Sequence, residues 1–266
     1  MLITFSTCWY PLNSKFSTDT YLSWMKHMLQ EVNHYYLVLF TDEKGEKILI
    51  EQCLSYFLNN PKIKIVKKPY EKWYNYKYQE NWITNHSKNT LLNGRTEWKL
   101  NMLWCEKQHF VNDARLNSYF PPTDFYGWCD VGYFRDGPCP SFASPLKIQT
   151  LKQNKIYYAC VDQNQLHQLQ PYVQTKNKHG LPVIPIPANQ NSIAGGFFIA
   201  HHSTIENWAT LFDKKLALYF KHDYLVKDDQ IIIVDCILSD PTQFELVQES
   251  NPKENPWFYF RRFLSL

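Results

Sequence analysis

A carboxylate stands at the end of an apolar run in the middle of the chain. Residues 125–131 predict a strand, Asp130 lies at its carboxyl end, and Gly132 follows two residues later. Ligands of open parallel sheets bind at this end of the strands. A divalent cation that joins Asp130 to a diphosphate would offset the cost of burying the carboxylate, and oxygen ligands favour Mg²⁺ or Mn²⁺. The alternative is a simple turn in which Asp130 pairs with Arg135 or caps backbone amides.

A pair of glycines opens a second apolar run. Gly195 and Gly196 stand just inside residues 193–200, which predict another strand. Paired glycines inside a strand indicate a bulge or the close approach of another group. A sugar ring is one such group, and helix–strand packing without a ligand is the alternative.

Two adjacent aspartates begin a third segment. Asp228 and Asp229 precede an apolar run that predicts a helix as far as residue 238. Acidic residues in a first turn are favoured by about 0.3–1 kcal/mol, so both carboxylates could serve as caps. With one cap and one carboxylate facing inward, the pair would supply a general base for a hydroxyl or a stabiliser for an oxocarbenium-like centre.

These candidates need an architecture that brings them together, and the hydrophobic pattern predicts one. Six apolar runs predict strands, at residues 2–5, 35–40, 63–66, 125–131, 156–161 and 193–200. Five segments predict helices, at residues 17–29, 48–58, 97–115, 203–219 and 228–238. Strands that alternate with helices are typical of an α/β fold, here a mixed, mostly parallel central sheet flanked by helices.

The composition excludes several classes of protein. A net charge of +3 over 266 residues is too weak for a nucleic-acid groove, so no nucleic-acid partner is expected. The seven cysteines form no CxxC pair, which favours free thiols in a reducing, cytoplasmic compartment. No run reaches the roughly 18 apolar residues of a transmembrane helix. The aromatic and basic tail, residues 257–264, is the segment expected to make any peripheral contact with the inner face of a membrane.

Three segments in this order resemble GT-A glycosyltransferases, most closely the HtrL/YibB-like family: WCDVGYFR, AGGFFIA and KDDQIIIVD, supported by the helix around Glu97-Trp98-Lys99-Leu100. The resemblance implies one GT-A-like domain over residues 1–266. A Rossmann-like half that binds the nucleotide sugar would cover about 1–135, and an acceptor half 136–266. It further implies transfer from a nucleotide-diphosphate sugar, with a UDP-sugar the expected donor, to a glycan or glycolipid in surface polysaccharide synthesis.

The resemblance also implies a metal site. Asp130 would occupy the first position of a DxD-type motif, in contact with ribose and with Mn²⁺ or Mg²⁺. Gly132 stands where many such enzymes carry the second, metal-binding aspartate, so the resemblance does not imply a strict metal requirement. Asp136 would be a substitute ligand, and His222 is the histidine expected to join Asp130 at the metal.

The remaining roles follow from position relative to the resembled fold. Asp229, with Asp228, would be the catalytic carboxylate, and the glycine pair would border the donor sugar. The residues expected around the nucleotide and its phosphates are Thr7, Asp42, Lys99, Asp130, Gly132, Gly195, Gly196 and Arg261, with Arg262 as an alternative to Arg261. Lys99 is otherwise an exposed helix lysine, and the arginines are otherwise surface charges beside an aromatic anchor.

Two other functions compete with glycosyl transfer. A sugar nucleotidyltransferase usually carries a glycine-rich, basic loop after its first strand, whereas residues 6–14 contain no glycine. A non-catalytic glycan-binding module would use the 17% aromatic content and would bind sugar without nucleotide or metal. Stabilisation by a nucleoside diphosphate with Mn²⁺ would separate the enzyme from such a module.

Overall fold

Seven strands form one sheet in the computed structural model, which describes residues 3–138 and 145–265. In chain order they are β1 (Ile3–Cys8), β2 (Tyr36–Thr41), β3 (Ile63–Lys67), β4 (Phe125–Cys129), β5 (Ile156–Cys160), β6 (Ile193–His201) and β7 (Phe244–Gln248). They lie in the order β3-β2-β1-β4-β6-β5-β7, with β6 antiparallel to both its neighbours and the other pairs parallel. The predicted class, a mixed and mostly parallel α/β sheet, is confirmed, and β7 has no counterpart among the predicted strands.

The order of the strands changes direction beside β1. The chain adds β2 and then β3 on one side of β1, and it returns to place β4 on the other side. Ligands of open α/β sheets bind at the carboxyl ends of the strands where the order switches. Because β6 is antiparallel, its first residues lie at this same edge, with Phe197 paired to Cys129.

Helices cover both faces of the sheet. They are α1 (Thr18–Gln30), α2 (Glu43–Asn59), α3 (Gln79–Lys88), α4 (Trp98–Trp104), α5 (Lys107–Leu116), α6 (Gln163–Gln174), α7 (His202–Lys221), α8 (Asp229–Ser239) and α9 (Tyr259–Phe263). Successive residues of a strand point to opposite faces. Val38 and Phe40 accordingly join the core under α5, α7 and α8, and Leu37 and Leu39 join the core under α1 and α2.

The helix starts follow local capping chemistry. Ser17 Oγ accepts the amide of Thr20 at 3.2 Å and so caps α1 at the start of its predicted range. Asp42 Oδ1 accepts the amide of Gly45 at 2.7 Å, so α2 begins before the first apolar residue of its predicted range. Ser203 and Thr204 begin the helix predicted over residues 203–219 and are the caps that its sequence suggests, but the cap of α7 is the preceding His201, whose Nδ1 accepts the amide of Ser203.

The prediction of one continuous helix over residues 97–115 is wrong, since α4 ends and α5 begins on either side of a break. Asn75 Nδ2 donates to the Cys105 carbonyl at 2.7 Å, the acceptor that a continuous helix would offer to His109. The amide of His109 donates instead to the Glu106 carbonyl at 2.9 Å. A side chain from another segment therefore competes for the helical carbonyl and turns the chain at this point.

The aromatic tail is part of the core. Phe260 is fully buried and stacks on Phe197 with ring centroids 4.5 Å apart, and Phe258 is buried edge-on against Tyr133. Phe258 and Phe260 therefore pack in the protein interior and are not available for the membrane contact expected of residues 257–264. Within the described residues, none of the helices combines the length and the apolar character that a bilayer crossing requires.

Because Phe260 packs in the core, we expect Phe260→Ala to lower the free energy of unfolding by about 3–5 kcal/mol. Urea unfolding measures the change. Leu58→Ala is the control, because Leu58 is 74% exposed on α2 and its loss should change stability by no more than about 0.5 kcal/mol. Equal effects of the two substitutions would contradict the buried position of the tail.

Candidate functional site

A cavity of about 390 Å³ opens at the carboxyl ends of β1 and β4, a volume within the usual range of small-molecule sites. The first residues of β6 and of α8 complete its wall. Its charged lining residues are Lys15, Lys107, Asp130, Arg135, Asp228 and Asp229. Its aromatic lining residues are Trp9, Tyr10, Phe16, Tyr21, Trp24, Trp104, Trp128, Tyr133, Trp257 and Phe258.

A buried lysine lies at the centre of this site. Lys107, the first residue of α5, is 5% exposed, and its Nζ lies 3.0 Å from Asp229 Oδ2 and 3.3 Å from Asp130 Oδ2. Nζ also donates a hydrogen bond to the Gly195 carbonyl at 2.9 Å. Desolvation acts to lower the pKa of Lys107, but the two carboxylates outweigh it and raise that pKa above its ordinary value. Lys107 therefore carries a positive charge between two acids.

Asp130 faces the cavity from the end of β4. Its side chain is 38% exposed, and its Oδ1 accepts the indole N–H of Trp128 at 2.6 Å. Arg135, the partner considered in the alternative interpretation, instead donates its Nε–H to the Gly132 carbonyl at 2.9 Å. Lys107 and Trp128 thus offset the cost of desolvating the Asp130 carboxylate at the end of the strand.

The two aspartates at the start of α8 have different environments. Asp228 is the cap: its Oδ1 accepts the amide of Gln230 at 3.2 Å, and its Oδ2 lies 2.9 Å from Lys227 Nζ. Asp229 points inward and is 5% exposed. Desolvation raises the pKa of Asp229 to about 7, with Lys107 opposing the shift and the charges of Asp228 and Asp130 adding to it. One carboxylate caps the helix, and the other faces the cavity.

The glycine pair makes room for these carboxylates. A Cβ on Gly195 would lie 2.8 Å from Asp229 Oδ2, and a Cβ on Gly196 would lie 3.1 Å from Asp130 Oδ2. The two glycines face different acids because successive residues of a strand point to opposite faces. The close approach that the paired glycines indicate is made by side chains of the protein itself.

Buried asparagines hold the loop that leads into α8. Asn85 accepts the amide of Val226 and donates to its carbonyl, both at 2.8 Å. Asn89 and Asn101 both donate to the carbonyl of Lys227. All three asparagines come from α3, α4 and the segment between them, so this region fixes the position of the two aspartates that follow the loop.

Several residues predicted at the nucleotide lie elsewhere. Thr7 is fully buried within β1, and Asp42 is the cap of α2. Lys99 Nζ lies over the ring of Tyr70 at 4.2 Å from its centroid, and Lys99 is not among the described residues that line the cavity. Arg261 donates to the Tyr133 carbonyl at 3.0 Å, behind the wall of the cavity. None of these four is among the described residues that line the cavity.

The residues predicted to complete a metal site also lie apart from Asp130. His222 ends α7 and stacks on His179 with ring centroids 3.9 Å apart. Asp136 is exposed, and neither it nor His222 is among the described lining residues. Of the residues predicted to face the ligand, the structure gathers Asp130, Gly132, Gly195, Gly196, Asp228 and Asp229 at one cavity.

Sequence reasoning missed Lys107, the residue that joins these groups. Lys107 lies within the helix predicted over residues 97–115, and the pattern assigned it no role. The sequence gives no signal for this role, because Glu106-Lys107-Gln108-His109 is an ordinary polar stretch of a helix, and only the structure shows that all four residues are buried. Buried polar residues in such a number need partners.

The donor set does not fit a divalent cation well. The three acids that would face a cation already have positively charged or N–H partners: Lys107 pairs with Asp130 and Asp229, Trp128 donates to Asp130, and Lys227 pairs with Asp228. Within residues 3–138 and 145–265, no three His, Cys, Asp or Glu side chains form a group that could hold a metal ion. An ammonium group stands among the oxygens that a metal would need.

Comparison of the chain with models of known protein families and with curated proteins gives no match. The similarity to HtrL/YibB-like glycosyltransferases remains a prediction from the three sequence segments.

The raised pKa of Asp229 makes a prediction about stability and pH. In the unfolded chain an aspartate loses its proton near about pH 4, whereas folded Asp229 keeps it to about 7. Between these values the folded state binds more protons, so the free energy of unfolding falls as pH rises. Asp229→Asn should make this fall shallower, measured by urea unfolding at about pH 5 and about pH 7. Glu106, whose pKa burial also raises to about 7, accounts for a remaining slope.

Asp235→Asn is the matched control for this measurement. Asp235 is fully buried on α8, but Lys215 and Lys176 outweigh desolvation and lower its pKa, so it titrates below this range. Its substitution should keep the wild-type slope between the two pH values. An Asp229→Asn variant with the wild-type slope would show that Asp229 ionises as an ordinary aspartate.

Proposed function

We propose that the chain is a glycosyltransferase of GT-A type that transfers a sugar from a nucleotide-diphosphate sugar to a hydroxyl of a glycan or glycolipid. One observation carries the proposal: Asp130, the glycine pair and Asp229 converge on Lys107 in a single cavity where the strand order switches. These four groups come from four separate segments of the chain, and the charged ones are of a type that the handling of a sugar and a leaving group requires.

The cavity offers separate surfaces to the parts of a nucleotide sugar. Aromatic faces such as Trp24 and Trp104 suit a base or a sugar ring. The exposed part of the Asp130 carboxylate can accept hydrogen bonds from ribose or sugar hydroxyls. Lys15 and Arg135 line the same cavity and provide positive charge for a diphosphate. A UDP-sugar is the donor we expect.

The environment of Asp229 suits a general base. Its pKa of about 7 lies near physiological pH, where a base is most effective. The hydroxyl oxygen of the acceptor attacks the anomeric carbon, Asp229 takes the hydroxyl proton, and the bond from that carbon to the diphosphate breaks. Nucleoside diphosphate leaves with the bonding electrons. Lys107 keeps its proton and favours the ionised form of Asp229 before the transfer.

The biological setting belongs to the same proposal. A transferase that uses a nucleotide sugar and a glycan or glycolipid acceptor fits the synthesis of surface polysaccharides or other glycoconjugates, on the cytoplasmic side of a membrane. Both faces of the sheet are packed into the protein core, whereas the cavity opens at the edge of the sheet. The acceptor must therefore reach the cavity.

A nucleotide should stabilise the protein through Asp130. We expect uridine diphosphate at about 100 times its dissociation constant to raise the free energy of unfolding by about 2.7 kcal/mol, detected as a higher melting temperature. Asp130→Asn should remove most of this gain, because the amide replaces an acceptor oxygen with a donor. Asp223→Asn, at an exposed carboxylate paired with Lys88, is the control and should keep the gain.

A screen of nucleoside diphosphates and nucleotide sugars extends this measurement to other bases. If none of them stabilises the wild-type protein, the proposed donor is wrong. If Asp130→Asn keeps the full stabilisation, Asp130 does not contact the nucleotide.

Turnover assays should distinguish the role of Asp229 as the base from the role of Asp130 in binding the donor. Asp229→Asn is expected to bind the nucleotide within about threefold of wild type and to lose on the order of 10²–10⁴-fold in kcat, since the acceptor proton then has no base. Asp223→Asn should retain the wild-type kcat in the same assay. Turnover by Asp229→Asn at the wild-type rate would exclude this aspartate as the base.

A further inference from the structure

We propose that the ammonium group of Lys107 takes the place of a divalent cation, so that the cavity binds a nucleoside diphosphate without Mn²⁺ or Mg²⁺; the identity of the ligand rests on the proposed function. The position of Lys107 Nζ carries this inference. It lies within 3.3 Å of oxygens from Asp130, Asp229 and the Gly195 carbonyl, which belong to three different elements. Two carboxylates and one carbonyl are the oxygens that a hard cation would use.

The ammonium group of Lys107 is surrounded by oxygens of the protein. It donates hydrogen bonds to Asp130 Oδ2 at 3.3 Å and to the Gly195 carbonyl at 2.9 Å, and it forms an ion pair with Asp229 Oδ2 at 3.0 Å. Its stem enters from α5 and is itself buried, so the charge cannot move away into solvent. A second cation at the same oxygens would lie within a few ångströms of this ammonium, and two such charges repel strongly in a buried site.

The other acids around the cavity are also engaged. Asp130 Oδ1 accepts the Trp128 indole N–H at 2.6 Å, and Asp228 is occupied by Lys227 and by the amide of Gln230. A metal ion at this site would have to displace several of these contacts together. The cost of leaving buried donors without partners opposes that exchange.

The diphosphate needs positive charge from other residues, because the donors of Lys107 are directed at Asp130, Asp229 and Gly195. Two cationic side chains line the cavity near its mouth. Lys15 Nζ lies 4.7 Å from the ring centroid of Trp104, and the Arg135 guanidinium lies over Trp24 and Phe258 at 5.3 and 5.0 Å. Arginine and lysine both bind phosphate oxygens well. Lys107 holds the acids in place, while these two residues meet the phosphates.

The first test uses Mn²⁺ alone, without nucleotide, and measures the free ion by electron paramagnetic resonance. Wild type and Asp130→Asn should bind Mn²⁺ with affinities that agree within about threefold, since Asp130 is already paired with an ammonium. Lys107→Met keeps most of the apolar stem and removes the charge, which leaves two acids and a carbonyl around the vacated position. This variant should bind Mn²⁺ at least about tenfold more tightly than wild type.

Lys99→Met is the matched control, because Lys99 lies on α4 outside the described lining of the cavity and should bind Mn²⁺ as wild type does. Wild-type protein that binds Mn²⁺ more than about threefold more tightly than Asp130→Asn would overturn the proposal. So would a folded Lys107→Met protein with no gain. If Lys107→Met does not fold, the comparison of wild type with Asp130→Asn decides.

The second test titrates uridine diphosphate into wild type by calorimetry, once with excess Mn²⁺ and once with EDTA. The two affinities should agree within about threefold, whereas Lys15→Met and Arg135→Met should each weaken the diphosphate at least about tenfold and uridine by less than about threefold. An affinity that depends on Mn²⁺ by more than tenfold would overturn the inference. If no nucleotide binds under either condition, the proposed function fails, and the Mn²⁺ measurements still judge the role of Lys107 separately.

Discussion

The interaction on which this site depends is the ion cluster of Lys107 with Asp130 and Asp229. A buried lysine and a buried aspartate each lose hydration, and only good mutual geometry offsets that loss. With Nζ placed 3.0 and 3.3 Å from the two carboxylates, the cluster achieves such geometry. Removing Lys107 would leave two neighbouring carboxylates inside the protein without their counter-charge. The elements around the cavity are therefore arranged so that these three groups meet.

Each element contributes one local device to that arrangement. The break between α4 and α5, made by Asn75, aims Lys107 at the end of β4. The absence of a Cβ at Gly195 and Gly196 lets β6 approach both carboxylates. Asn85 binds the backbone of the loop before α8 and so fixes the position of Asp228 and Asp229. These features are hydrogen bonds and missing side chains, and the packed apolar strands and helices hold them in place.

The same geometry gives the two acids of the cluster different properties. Asp130 keeps contact with the cavity and with the indole N–H of Trp128, which suits a group that holds hydroxyls of a ligand. Asp229 is almost fully enclosed, so desolvation raises its pKa to about 7 despite the neighbouring Lys107. Pairs of carboxylates whose environments differ in this way commonly divide binding and proton transfer between them. The proposed transfer of a glycosyl group uses this division.

Sequence alone determined the features that depend on neighbouring residues. The alternation of apolar runs predicted six of the seven strands and the class of the fold, and the position of Asp130 after one such run predicted a carboxylate at the strand edge where ligands bind. The adjacent Asp228 and Asp229 predicted a helix start, because capping involves only residues close in the chain. These predictions concern contacts across a few residues, and the hydrophobic period is sufficient for them.

Only the tertiary structure decided which charges meet. The role of Lys107 could not be predicted, because the direction of its side chain depends on a break in the helix. Asn75 makes that break by binding the carbonyl of Cys105, which lies 30 residues later in the chain. Lys99, on the same predicted helix, was chosen in its place and lies over Tyr70. Asp42 was assigned to the nucleotide and His222 to the metal, but Asp42 caps a helix and His222 stacks on His179. The partner of a side chain is set by long-range packing, and a periodic pattern contains no information about distant segments.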